Sequence, residues 1–165
     1  MNQLSPFEDQ LASLLPRLRR FAHTLSRNPV DADDLTQATI ERALRSKAQW
    51  EPGTRLDSWA YRIMRNLWID TARSRTRKSA HEAPEEEGLN LGEDPREAID
   101  AAVDVKRVMT AMERLPDEQR EVVALILVEG FGYREVSEML ALPIGTVSSR
   151  LVRGRTALLA MVGEQ

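Results

Sequence analysis

The stretch Leu56 to Lys78, LDSWAYRIMRNLWIDTARSRTRK, runs 23 residues without proline or glycine and constrains the fold more than any other part of the chain. Asp57 is a good N-cap residue, so the pattern predicts one long helix. At about 100° per residue, Trp59, Ala60, Tyr61, Ile63, Met64, Leu67 and Trp68 share one broad arc. Arg62, Arg65, Asn66 and Arg73 fall on the other. The segment closes on Arg73, Arg75, Arg77 and Lys78 with no acid among them. One side can anchor in a core while the other suits a phosphate backbone, because each cation near a phosphate releases condensed counterions. An ordinary amphipathic surface helix carries the same pattern.

A net charge of −3 would argue against nucleic acid, but the average hides a segregation. Residues 1–79 carry 14 Lys/Arg against 9 Asp/Glu, residues 80–104 carry 1 against 9, and residues 105–165 carry 8 against 8. The segment matters more than the sum. Hydrophobic content of 42% with 30% charge is that of a globular chain rather than a disordered one. With no cysteine there is no disulfide framework, thiolate zinc site or cysteine nucleophile. No apolar run approaches a membrane span and MNQLSPFEDQ is no signal peptide, so a cytoplasmic protein is expected.

In chain order, residues 7–28 show helical spacing, with Pro16 predicted to kink or divide the segment and Asn28-Pro29 to break it. Asp31 is the predicted opening of the next helix, with Asp34 at the third position of a capping-box-like start. Along DADDLTQATIERAL, Leu35, Ile40, Ala43 and Leu44 are apolar, and Asp34, Gln37 and Glu41 share another face. That strip is either solvated or a docking face for a partner helix. Glu51-Pro52-Gly53-Thr54 signals a turn, with Trp50 beside it as a core plug or an exposed stacking surface. Residues 80–104, with two prolines, two glycines and dense acid, read as a linker.

Periodicity returns at Val105, Val108, Met109 and Met112 and ends near Leu115-Pro116. Asp117 caps a helix whose run VVALILVEG is apolar nearly all round and is therefore expected to be buried. Two short helices then follow, Tyr133 to Leu140 and roughly Ile144 to Leu159, joined by Ala141-Leu142-Pro143. This is the grammar of a helix-turn-helix. Val147, Leu151, Gly154 and Leu158 share the inward arc of the second helix; Ser149, Val152, Arg153 and Thr156 point away, flanked by Ser148 and Arg155 on one side and Arg150 on the other. No acid occurs between Glu138 and Glu164. Short polar groups and Arg can meet base edges, and no carboxylate repels phosphate.

Taken together these segments resemble, in order and spacing, the extracytoplasmic-function (ECF) sigma factors, the minimal bacterial sigma class. DADDLTQATIERAL is similar to the family's core-polymerase-binding helix, and LDSWAYRIMRNLWIDTARSRTRK to its helix at the minus-ten element. LPDEQREVVAL and YREVSEMLALPIGTVSSRLVRGRTAL are similar to its domain for the minus-thirty-five element. The resemblance implies an all-α chain of two small helical domains, residues 1–79 and 105–165, joined by a flexible acidic linker. It implies no cofactor, metal or catalysis of its own, but a role in promoter recognition, melting and initiation by RNA polymerase.

By the same resemblance, Asp34, Gln37 and Glu41 grip the clamp helices of the polymerase largest subunit, and the second domain meets the flap of the second-largest. Trp50, Arg55, Arg62, Arg65, Asn66, Arg73 and Arg77 line the downstream DNA path, with the loop from Trp50 to Leu56 capturing a flipped base. Ser148, Ser149, Val152 and Arg153 meet base edges, with Arg150 and Arg155 nearer phosphates. An anti-sigma factor is the expected inhibitory partner. Ala38, where an acid commonly follows the Gln, Ser148, where Lys or Arg is frequent, and Val152, where a larger side chain often sits, depart from the pattern.

Two other classes could use the same residues. A stand-alone helix-turn-helix repressor or activator would need a dimer surface and a palindromic site. A metal-dependent nuclease using Asp31, Asp33 and Asp34 would need those acids free of capping, and His23 and His81 offer no ligand spacing.

Overall fold

In the computed structural model, which describes residues 6–78 and 101–163 (side chains for 6–74 and 105–163), every regular element is helical. Helix α1 spans Pro6–Ser13 and α2 Leu15–Ser26. Pro16 divides the two rather than kinking one. It stands in the first turn of α2, where a missing N–H costs nothing. Arg27, in the left-handed region at φ 56°, ends α2 by donating its backbone N–H to His23 O at 2.8 Å.

Helix α3, Pro29–Arg45, starts two residues earlier than predicted. Its cap is Asn28, whose Oδ1 accepts from the N–H groups of Val30 (2.9 Å) and Asp31 (3.2 Å). Asp31 therefore lies inside the first turn, with Pro29 as the first helical residue. A 3₁₀ turn, Lys47–Gln49, leads through an exposed loop to α4, Leu56–Lys78, with the limits expected. Asp57 is in the first turn and not at the cap: its Oδ1 accepts from Ser58 N–H at 2.8 Å and from Arg55 Nε at 3.1 Å.

Helix α5, Ala101–Glu113, begins inside the stretch read as linker; the rest of that stretch, through residue 100, lies outside the described residues. Helix α6, Asp117–Val123, runs on into a π turn over Ala124–Val128. The run expected to be buried all round is buried only from Val122 to Leu125, while Leu127 is 52% exposed and Val128 is exposed too. The wider π turn advances each residue by less than an α-helix does, which carries the next side chains off the buried arc.

Helices α7, Tyr133–Leu140, and α8, Ile144–Gly163, meet at Ala141, which is left-handed at φ 53°. Leu142 N–H donates to Ser137 O and Ala141 N–H to Glu138 O, closing α7 as a Schellman turn. Packing then seats α8 on α6 at Gly154. A Cβ built there would lie 2.7 Å from Val123 Cγ2 and 3.3 Å from Gln119 Cβ, so only glycine permits the approach.

One cluster of buried residues runs through both halves, from Leu18, Phe21 and Leu25 in α2 through Tyr61 and Met64 in α4 to Val122, Phe131, Val147 and Leu158. Each large side chain so removed from water stabilises the fold by about 1.5–3 kcal/mol. A smaller cluster gathers Phe7, Leu11, Ala43 and Leu56 under Trp50, Trp59 and Ile63. The helices before and after residues 79–100 thus share a core.

Candidate nucleic-acid interface

On α3, Asp34, Gln37 and Glu41 are all exposed. Gln37 Nε2 donates to Glu41 Oε1 at 3.3 Å, one turn along, so the three residues form a continuous acceptor-rich strip. Thr36 and Thr39 on the buried side donate their hydroxyls to Ala32 O and Leu35 O, so their polar groups are satisfied within the helix.

On α8, the described outer side carries Val152, 60% exposed, with Arg153, Arg155 and Thr156 also exposed. Ser148, Ser149 and Arg150 are half-buried at its edge. Ser149 Oγ donates to Thr146 O at 3.2 Å, and Arg150 lies 3.7 Å from Glu118 of α6. The inward residues are those the spacing predicted: Val147, Leu151, Gly154 and Leu158 are buried.

The third surface, on α4 and the loop before it, is arranged differently. Arg62, Asn66 and Arg73 are exposed; the side chain of Arg77 lies outside the described residues. Arg65 is half-buried and turned to the second half, with Nε 3.3 Å from Glu121 Oε2 on α6. Arg55 Nη1 donates to Glu135 on α7 at 2.6 Å, its Nη2 donates to Asp57 at 2.9 Å, and its guanidinium lies 4.9 Å over the Phe131 ring. Trp50 takes the inward of its two readings, packing on Phe7 with ring centroids 5.5 Å apart. Its indole Nε1 is buried with no partner.

The joint between the halves centres on Glu129, a residue the sequence reading passed over. Its side chain is 1% exposed, yet it accepts from Arg20 at 2.8 and 2.9 Å, from Arg17 Nε at 3.3 Å and from the Tyr61 hydroxyl at 2.8 Å. Burial, and then the carboxylate beside it, push the Tyr61 phenol far above its ordinary range, so it remains a donor. Phe131 stacks edge-on against Tyr61 at 5.3 Å. On the far side of the joint Arg120, 2% exposed, donates to Thr24 O and Leu25 O in the last turn of α2 and to Leu115 O. Between α4 and α6 a groove of about 480 Å³ is lined by Trp68, Ile69, Arg73 and Glu121. One signal pointed to Glu129: it is the lone carboxylate closing the apolar run VVALILV, where an acid is buried only if paired.

Among the described residues no helix is long and apolar enough to cross a membrane, and no group of three or more His, Asp or Glu is placed to hold a metal. Residues 11–78 match the family model of Sigma-70 region 2, and residues 106–158 that of Sigma-70, region 4. The ECF RNA polymerase sigma factor EcfG of Rhodopseudomonas palustris is 33% identical over 93% of this chain and 83% of its own length. SigE of Mycolicibacterium smegmatis, also named an ECF RNA polymerase sigma factor, is 39% identical over 86% of this chain, which spans 56% of that protein. Among solved structures, the sigma factor RpoE from Bartonella quintana, in complex with the anti-sigma factor NepR, is 29% identical and superposes with a TM-score of 0.79 over 97% of this chain and 98% of that one. Both region models in chain order and relatives aligned over most of the chain agree: this protein belongs to the ECF RNA polymerase sigma factors.

Proposed function

We propose that the helices before residue 79 engage core RNA polymerase and the minus-ten element, and that those after residue 104 engage the minus-thirty-five element. The observation that carries this reading is the separation of three polar faces: the Asp34, Gln37 and Glu41 strip, the α4 cations and the outer side of α8. The α3 strip meets the clamp helices of the largest polymerase subunit. Arg62, Asn66 and Arg73, with Arg55, Arg65 and Arg77, track the downstream strand, and the loop after Trp50 holds a flipped base. Ser148, Ser149, Val152 and Arg153 read upstream base edges, with Arg150 and Arg155 at phosphates, while the second domain rests on the flap of the second-largest subunit. The protein catalyses no reaction itself and lends specificity to the polymerase, and an anti-sigma factor holds it inactive.

This work requires the halves to part. The two elements are about 25 base pairs apart, roughly 85 Å of B-DNA at 3.4 Å per pair. The longest helix, α4, is only about 34 Å at 1.5 Å per residue, and helices sharing one core cannot hold both elements at once. Splitting recognition between two weak modules suits such a device, since tethering on polymerase raises the effective concentration of each.

The test is in vitro transcription with purified core polymerase on a promoter library, with gel shifts in parallel. Start-site selection that depends on the protein supports the reading. Tight, specific DNA binding by the protein without polymerase favours a stand-alone repressor or activator instead.

A further inference from the structure

We propose that Val152 selects a thymine in the upstream element, through the 5-methyl group that this base alone presents in the major groove. The inference rests on the reading of α8 given above and deepens it, by naming the base that one position of the helix prefers. Val152 is 60% exposed in the middle of the outer side, ringed by Ser148, Ser149, Arg155 and Thr156 at three and four residues' distance. It is an apolar island in a hydroxyl-bearing and cationic surface, on a stretch with no acid between Glu138 and Glu164. Two other large apolar residues of α8 are exposed, Ile144 and Leu159. Ile144 lies about 80° round the helix from Val152. Leu159 lies two turns nearer the C-terminal end, whereas a recognition helix meets base edges with its N-terminal part.

The surroundings of Val152 fix it in that role. Gly154 lies about 200° round the helix from it, and its seat against Val123 and Gln119 admits no Cβ, so α8 cannot roll to present another stripe. Neighbours that could compete for the same base are partly withdrawn. Ser149 Oγ donates to Thr146 O at 3.2 Å, and Arg150, half-buried, lies 3.7 Å from Glu118. A valine in a helix holds one strongly preferred χ1 rotamer, so its methyls are already in place and little conformational entropy is lost on contact. Base chemistry then decides the partner. Adenine, guanine and cytosine offer donors and acceptors in the major groove, and thymine adds a methyl. Pressed on a polar edge, valine strips water that it cannot replace; pressed on the methyl, it removes apolar surface from water.

The test deletes that methyl and nothing else. On a preferred promoter from the library, each thymine of the upstream element, on either strand, is replaced singly by uracil, which keeps the base pairing. Transcription is measured with the full-length protein on core polymerase. We expect one position at which uracil raises the template concentration for half-maximal transcription by about fourfold, the worth of one buried methyl. Val152→Ala should abolish the difference between thymine and uracil there, while Val152→Thr, which keeps a methyl on a side chain of the same shape, should retain it. Absence of any uracil-sensitive position overturns the proposal, and so does a sensitivity that persists unchanged in Val152→Ala. A preferred upstream element with no thymine on either strand does the same. If the protein directs no transcription from any template, the promoter reading itself falls and this inference with it. Start sites chosen correctly with no uracil effect sink the thymine contact alone.

Discussion

Helices α4 and α8 both turn cations away from the core, yet they meet the rest of the chain in opposite ways. Helix α8 lies at an edge, seated by Gly154 on α6, and its outer residues Val152, Arg153 and Arg155 face open solvent. Helix α4 lies between the halves, so its basic side is divided: Arg62 and Arg73 are open, while Arg65 is spent on Glu121. The same residue type serves two ends according to what is packed beside it. A basic stripe is thus a statement about potential, and only the neighbouring elements decide whether it is available.

The comparison can be broken most forcefully at Arg120. Arg120→Met keeps the bulk but leaves the carbonyls of Thr24, Leu25 and Leu115 without their buried donor, and we expect a loss of about 3–5 kcal/mol in denaturant unfolding. At the other helix, Gly154→Val should cost about 1–3 kcal/mol by forcing α8 off Val123 and Gln119, read as a lower midpoint in a thermal melt. A gain in stability there would show that the seat is not tight.

The comparison is sharpened by DNA readouts on the two open arginines. Arg153→Ala should cost about 1–3 kcal/mol at one upstream base position in a promoter library. Arg62→Ala should weaken all promoters nearly equally and reduce the salt slope by about one. Uniform loss from Arg153→Ala would demote it to a phosphate contact.

The smallest effect is in acid. Burial would raise the Asp57 carboxyl, but Arg55, the Ser58 N–H and Arg17 together hold it below its ordinary value. Its contribution to stability is present above the ordinary aspartate range and is lost as pH falls through the lowered pKa. Glu121 is the reverse: burial raises it against the pull of Arg65, so its contribution is present below the ordinary glutamate range and is lost as pH rises through the raised pKa. Asp57→Asn and Glu121→Gln should therefore flatten the pH dependence of unfolding in opposite directions, each by under about 1 kcal/mol between roughly pH 3 and pH 6.

Much of the frame was legible in sequence because its signals are local. The limits of α4 and α7 and the buried stripe of α8 follow from periodicity and breakers. The start of α3 was misjudged because Asn28 and Asp31 are both good caps, and Pro29 was read as a stop when it also suits a first helical residue. Leu127 and Val128 escaped because a π turn has no period to announce it. Of the candidate site, the exposure of the α3 strip and of Val152, Arg153 and Thr156 on α8 could be drawn from spacing alone, whereas Ser149, expected to point outward, is half-buried. What could not be read was the pairing of Arg55 with Glu135 and of Arg65 with Glu121, which lie 80 and 56 residues away. No local pattern pairs them. Only the tertiary packing does.

One consequence follows from where the Arg120 guanidinium ends. It serves as a C-terminal cap for α2, placing a full positive charge on that helix's last turn, immediately before the Arg27 and Asn28 corner that starts α3. Parting the halves strips the cap, so the strain of opening is felt at the root of the helix that carries Asp34, Gln37 and Glu41. The amides around that corner should exchange with deuterium faster in an open chain than in a closed one, which would couple the two ends of the molecule through a single side chain.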